Sequence, residues 1–147
     1  MNESQCSIYV IGKGSHSDVV YNILDEQYKG EIQCITIENF YELLEKKSEI
    51  LHKSKFIIGV GDNNIRCEIA DKAKTILKEN QWMNAIHTSA TIANNVQIGH
   101  GNVICAGVIL QPYVKVQNHC IINTKTSVDH HCVVGNLVHL APNVTLC

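Results

Sequence analysis

From Ile86 to the end of the chain an aliphatic residue falls on every sixth position: Ile86, Ile92, Ile98, Ile104, Leu110, Val116, Ile122, Val128, Val134, Leu140 and Leu146. Four residues after each comes a second small or medium side chain, in the series Ala90, Val96, Asn102, Val108, Val114, Cys120, Thr126, Cys132, Val138 and Val144. Neither a helix nor a lone amphipathic strand has this period; a fixed repeat marks a solenoid. Gly99, Gly101, Asn118, Gly135 and Asn136 stand between the pairs. Such residues adopt positive φ cheaply and are expected at corners. One short strand and one corner per hexad, three hexads per coil, predict a parallel β-helix of triangular section with the aliphatic series pointing inward. Residues i and i+18 then stack about 4.8 Å apart. On the repeat alone, such a solenoid can equally be pure scaffold.

The first 84 residues follow a different pattern. Ser7–Ile11 is a short apolar run, Gly12-Lys13-Gly14-Ser15-His16-Ser17 a glycine turn, and Asp18–Leu24 carries Val19, Val20, Ile23 and Leu24 at helical spacing. Strand, glycine turn and helix open a Rossmann-like domain, in which free backbone N–H groups face an anion. The GxGxxG fingerprint is incomplete because Ser17 holds the place of its third glycine, so a phosphate cradle and an ordinary tight turn both remain open. Ile32–Ile37 reads as a second strand ending at Glu38, a carboxylate suited to a ribose hydroxyl or simply to solvent. Phe40–Leu51 reads as one amphipathic helix with a charged, solvated face.

Lys55–Val60 is the expected third strand, and Ile65, Ile69, Ala73, Ile76 and Leu77 predict a helix over Asn64–Lys78. Asp62 or Asn63 can cap it. Arg66 in its first turn opposes the helix dipole, so it is expected either to pair with an acid or a phosphate or to lie on the surface. Glu79–Ala85 reads as a link. The resulting division is an α/β unit over residues 1–84 and a β-helix over 85–147.

Composition narrows the function. Hydrophobic residues make up 45% of the 147, enough for a core. No apolar run approaches the roughly 18 residues of a membrane span, and the N-terminus has no signal-peptide pattern. A net charge of −2 gives no basic footprint for nucleic acid. The seven cysteines form no CxxC. Cys120 and Cys132 fall on inward repeat positions, which predicts buried reduced thiols and a cytoplasmic protein. His100, His119, His130, His131 and His139 fall in the repeat, where an outward histidine is a surface residue, a base or a metal ligand. Their spacing does not reproduce a zinc site shared between subunits, so no metal is expected.

Residues 8–24, 56–69, 86–90 and 122–142 together resemble the sialic acid O-acetyltransferase-like sugar acetyltransferases, among them the N-acetyltransferases of nucleotide-linked 4-amino-4,6-dideoxy sugars. The resemblance covers nearly the whole chain. It implies left-handed coiling, a homotrimer, acetyl-CoA as co-substrate between neighbouring solenoids, and a UDP- or dTDP-linked amino sugar in the N-terminal unit. By this resemblance Gly12, Gly14, Ser15 and His16 approach the sugar and its phosphates, and Glu38, Asp62, Asn63 and Arg66 line the nucleotide pocket. His130 matches the general base and Asn123 a polar residue beside it, with His131 next to them in the catalytic group. His139 matches a second histidine near the thioester, and Asn143 lies in the acetyl-CoA region. A sugar amine must shed a proton as it attacks a thioester, which a group titrating near neutrality accepts best.

The chain departs from that pattern in three places. His131 stands where an Asp or Glu usually orients the base, and Asp129 is expected to face the other way in the strand. Pro142-Asn143 replaces Pro-Gly, with Asn the next-best residue for a left-handed backbone. The chain stops at Cys147, just before the position stacked over His130, where the family places an oxyanion-binding Gly N–H. A truncated solenoid with an incomplete donor site is therefore expected, which leaves room for a non-catalytic nucleotide-sugar-binding trimer.

Overall fold

The computed structural model describes residues 6–147. The chain divides into two compact units, the first ending at Met83 and the second running from Asn84 to Cys147.

In the first unit three parallel strands, β1 (Ser7–Ile11), β2 (Ile32–Ile35) and β3 (Ser54–Ile58), form a sheet in the order β2-β1-β3. The helices are α1 (Ser15–Asp25), α2 (Ile37–Glu45), α3 (Glu49–Lys53) and α4 (Asn63–Ala73), and Glu79–Gln81 forms a short 3-10 turn. Central β1 is buried through Ile8, Val10 and Ile11, as a parallel strand covered on both faces requires. Ile11, Phe56 and Ile58 pack with Phe40 and Leu44 of α2, Leu51 of α3 and Ile69 and Ala73 of α4.

The helix starts differ from the expected ones, and side-chain capping explains why. Strand β2 stops at Ile35 because Thr36 Oγ1 accepts the Asn39 N–H at 3.1 Å and starts α2. Glu38 therefore lies in the first turn of α2, not at a strand tip. The helix expected over Phe40–Leu51 is two helices, broken where Lys47 takes φ 45° and Ser48 Oγ accepts the Ile50 N–H at 3.4 Å. Local side-chain bonds of this kind compete with helix continuation. Strand β3 is shifted toward the N-terminus by one or two residues, and α4 ends at Ala73 rather than Lys78. The Ala73 carbonyl there accepts both the Ile76 and Leu77 N–H groups.

The missing third glycine has a structural counterpart. Ser17 is fully buried and its hydroxyl donates to the Gly14 carbonyl at 2.5 Å. Close approach of α1 to the sheet is provided from the other side, by Gly59. A Cβ placed there would sit 2.8 Å from Val10 Cγ1 and 2.9 Å from Ser17 Cα.

The second unit is built of two-residue strands: β4 (Ala85–Ile86), β5 (Thr91–Ile92), β6 (Gln97–Ile98), β7 (Val103–Ile104), β8 (Ile109–Leu110), β9 (Lys115–Val116), β10 (Ile121–Ile122), β11 (Ser127–Val128), β12 (Val133–Val134), β13 (His139–Leu140) and β14 (Thr145–Leu146). They form three parallel sheets, β13-β10-β7-β4, β14-β11-β8-β5 and β12-β9-β6. Ile104 pairs with Ile86 and Ile122, Leu110 with Ile92 and Val128, and Val116 with Ile98 and Val134, an offset of 18 residues throughout. The interior contains these aliphatics with Val108, Val114 and Cys120, while Cys132 is only half-buried. The cysteines are free thiols, and burial pushes Cys105 up to about 11, which keeps it protonated and unreactive.

The corners lie elsewhere than the glycines and asparagines suggest. Residues 95, 101, 107, 113, 119, 125, 131, 137 and 143 all have φ between 55° and 71°. Of the expected positions Gly101 and Asn143 are among them, while Gly99, Asn118, Gly135 and Asn136 are not; Tyr113, His119, Lys125, His131 and Leu137 occupy others. The N–H groups of residues 119, 125, 131, 137 and 143 each donate to the carbonyl 19 residues earlier, at 2.9–3.2 Å. These bonds impose the left-handed conformation whatever the side chain, offsetting a cost of roughly 1–2 kcal/mol per residue. Asn118 and Asn136 instead form a ladder, each Oδ1 accepting the main-chain N–H 18 residues earlier at 3.0 Å. Asn84 and Asn102 do the same toward the N–H groups 18 residues later, at 2.8 Å.

Two substitutions test these constraints by denaturant unfolding. Gly59→Ala is expected to destabilise the first unit by about 1–3 kcal/mol through overpacking. Lys125→Asn, at an exposed left-handed position, is expected to stabilise the solenoid by up to about 1 kcal/mol.

Candidate functional site

A cavity of about 430 Å³ opens where the three strands of the first unit end. Its walls are Gly12, Lys13, Gly14, Ser15 and His16 after β1, Thr36, Ile37 and Glu38 after β2, and Gly59, Val60 and Gly61 after β3. The carboxyl edge of a parallel sheet is where such folds hold ligands. Gly12 has φ 128°, and a Cβ on it would lie 2.9 Å from the Gly59 carbonyl, so the β1 and β3 loops touch only because no side chain separates them. The α1 N-terminus has no side-chain cap, since Gly14 holds that place, and the α2 N-terminus lies in the same wall. Two positive helix ends with Lys13 beside them favour an anion, while Glu38 adds a carboxylate that accepts hydroxyl donors.

The structure therefore gathers Gly12, Gly14, Ser15, His16 and Glu38 around one cavity. Asp62, Asn63 and Arg66 are not in its lining. Asp62 Oδ1 caps α4 by accepting from Asn64 and Ile65, at 2.9 and 3.0 Å. Arg66 is 1% exposed and donates to Asn63 Oδ1 at 2.6 Å and to the carbonyls of Gly61 at 3.0 Å and Val60 at 3.2 Å. These three acceptors are uncharged oxygens of its own turn, and its burial shows that it is not a surface cation. Together the three residues shape the loop that contributes Val60 and Gly61. Sequence reasoning passed over Lys13, although it lies inside the glycine turn, and Thr36, whose signal was a capping hydroxyl three residues before Asn39.

In the second unit the expected residues form two pairs. Asn123 Oδ1 accepts the Thr124 N–H at 2.8 Å, which orients the amide so that Nδ2 faces His139 Nε2 at 3.2 Å. Nε2 of His139 is thus an acceptor, and the neutral ring carries its proton on Nδ1. Asn123 was expected beside His130, but its bond is to His139, because residues 123 and 139 fall on one face of successive coils. His130 and His131 meet through their Nδ1 atoms at 3.0 Å, and both are exposed. Asp129 Oδ1 accepts the His130 main-chain N–H at 2.8 Å. Asn143 has φ 60° and donates its N–H to the Thr124 carbonyl at 2.9 Å, a corner role. Among the described residues no three His, Cys, Asp or Glu side chains are grouped to hold a metal ion, and no helix is long and apolar enough to cross a membrane.

Comparison with known proteins draws the two units together. Residues 7–73 match the family described as the PglD N-terminal domain, from β1 through α4. The chain as a whole is similar to the acetyltransferase domain of PglB from Neisseria gonorrhoeae in complex with acetyl coenzyme A. The TM-score is 0.82 at 27% identity, over 98% of this chain and 74% of that one. It is also similar to PerB from Caulobacter crescentus in complex with CoA and GDP-perosamine, with TM-score 0.78 at 26% identity over 92% and 69% of the two chains. WeeI from Acinetobacter baumannii shares the fold, with TM-score 0.76 at 17% identity over 96% and 72%.

If the cavity holds a phosphorylated ligand, Lys13→Ala is expected to weaken nucleoside diphosphate binding about 10- to 100-fold. That is the ~1.5–3 kcal/mol of a hydrogen bond to a charged group. Isothermal titration calorimetry of wild type and variant checks it.

Proposed function

We propose that this protein is an acetyl-CoA-dependent N-acetyltransferase acting on the 4-amino group of a nucleotide-linked amino-deoxy sugar. The observation that carries this reading is that one chain joins an anion-favouring cavity to a histidine-bearing β-helix over the same span as acetyltransferases solved with acetyl-CoA, or with CoA and GDP-perosamine. In this reading Gly12, Gly14, Ser15, His16 and Lys13 hold the phosphate and sugar end of the acceptor, and Glu38 takes a hydroxyl. Asp62, Asn63 and Arg66 keep the third loop in place. A guanine nucleotide now stands beside the uridine and thymidine nucleotides expected from sequence, because the PerB complex contains GDP-perosamine.

The chemistry is direct transfer in a ternary complex. The neutral sugar amine attacks the thioester carbonyl carbon, and His130 takes the proton released as the C–N bond forms. The tetrahedral intermediate expels the CoA thiolate, which is then protonated. His139, with its amide partner Asn123, stands as a polar pair for the acetyl-CoA end, with Asn143 turning the chain nearby. The reading includes a Rossmann-like first unit, left-handed coiling, and three solenoids packed side by side in the cytoplasm. The exposed Ile109 and Val133 are apolar surface that such packing would cover.

A thiol-release assay with acetyl-CoA and a panel of nucleotide-linked amino sugars tests this. His130→Ala is expected to lower kcat by about 10²- to 10⁴-fold, the usual contribution of a positioned base, with acceptor binding retained. Release only with sugar hydroxyls would replace N- by O-acetylation. Nucleotide-sugar binding without any thiol release would leave a binding scaffold.

A further inference from the structure

We propose that His131 is a positioning residue for the transfer site: its Nδ1 accepts a hydrogen bond from His130 Nδ1–H, fixing His130 in the tautomer whose Nε2 takes the amine proton. This rests on the reading of His130 as the base, and it gives a role to the histidine that stands where a carboxylate was expected.

The two Nδ1 atoms lie 3.0 Å apart, with ring planes 86° from parallel. At that distance one nitrogen carries a hydrogen and the other a lone pair, since two lone pairs or two N–H groups repel. Only one arrangement leaves a base. If His131 donated, neutral His130 would carry its hydrogen on Nε2 and have no lone pair there. If His130 donates, Nε2 is free, and the imidazolium formed during transfer keeps an acceptor for its second N–H.

His131 is the fixed member of the pair. Its backbone is held at φ 62° by the bond from its N–H to the Pro112 carbonyl at 3.2 Å. Its ring is stacked on Tyr113, one coil earlier, with centroids 4.9 Å apart and planes 21° from parallel. The neighbouring carboxylate of Asp129 accepts from the main-chain N–H of His130 at 2.8 Å, not from its ring. A neutral acceptor supplies a lone pair without a charge, so His131 orients the base and selects its tautomer without the Coulombic stabilisation a carboxylate adds.

The test uses the full chain and two variants. His131→Asn keeps an acceptor at the δ position in a residue suited to the left-handed backbone. His131→Leu removes the acceptor, and Leu137 shows that leucine adopts the same backbone in this ladder, with φ 62°. The leucine variant is expected to lose on the order of 10- to 100-fold in kcat with little change in KM for the nucleotide sugar, the range seen when an orienting partner of a functional imidazole is removed. The asparagine variant should stay within a few-fold of wild type. Long-range ¹H–¹⁵N correlation spectra of histidine-labelled protein should show His130 as the Nδ1–H tautomer in wild type and as a mixture in the leucine variant. A wild-type His130 carrying its proton on Nε2, or a leucine variant as fast as wild type, would overturn the proposal. Should wild type transfer no acetyl group to any acceptor, the functional reading falls, while the tautomer spectra still decide the pairing.

Discussion

Parallel pairing at a constant register of 18 residues, made by main-chain hydrogen bonds between coils, holds the second unit together, and almost everything about that unit follows from it. Its strands are two residues long, too short to persist alone. Each is stable because it is paired with the strand of a neighbouring coil, and because corner N–H groups also find carbonyls in the coil before. The same register decides which side chains become neighbours. Tyr113 lies against His131 because they are one coil apart, and Asn123 reaches His139 because they occupy adjacent coils on one face.

Left-handed corners illustrate how strongly this lattice constrains the chain. A tyrosine, two histidines, a lysine and a leucine accept a conformation usually left to glycine or asparagine. The asparagines are used differently, as side-chain substitutes for a main-chain carbonyl, satisfying N–H groups that such short strands leave over. Polar residues at Asn102 and Thr126 are therefore compatible with complete burial. Asn102 accepts the Cys120 N–H, and the Thr126 hydroxyl donates to the Ala141 carbonyl at 3.0 Å.

The first unit reaches its cavity by crowding rather than by repetition. Gly12 and Gly59 let two loops and a helix approach within backbone contact, and Ser17 fits against Gly59 because its hydroxyl turns back to the Gly14 carbonyl. Uncapped α1 and capped α2 then lie in one wall. Arg66 is not in the cavity lining and donates to two carbonyls of the loop it braces.

The sequence by itself determined the two architectures, the coil length and the face of each repeat residue, because hydrophobic periodicity reports directly which side chains leave water. It also marked five of the cavity residues through the glycine turn and Glu38, and narrowed the α4 cap to Asp62 or Asn63, since these signals are local. Tertiary structure alone decided that Glu38 starts a helix, that Arg66 is buried in its own turn, that the left-handed corners fall near Gly99, Asn118, Gly135 and Asn136 rather than on them, and that Asn123 meets His139 while His130 meets His131. Those outcomes depend on hydrogen bonds between coils, on side-chain pairing within one turn, or on a capping hydroxyl competing with strand and helix, and periodicity contains no record of which donor finds which acceptor.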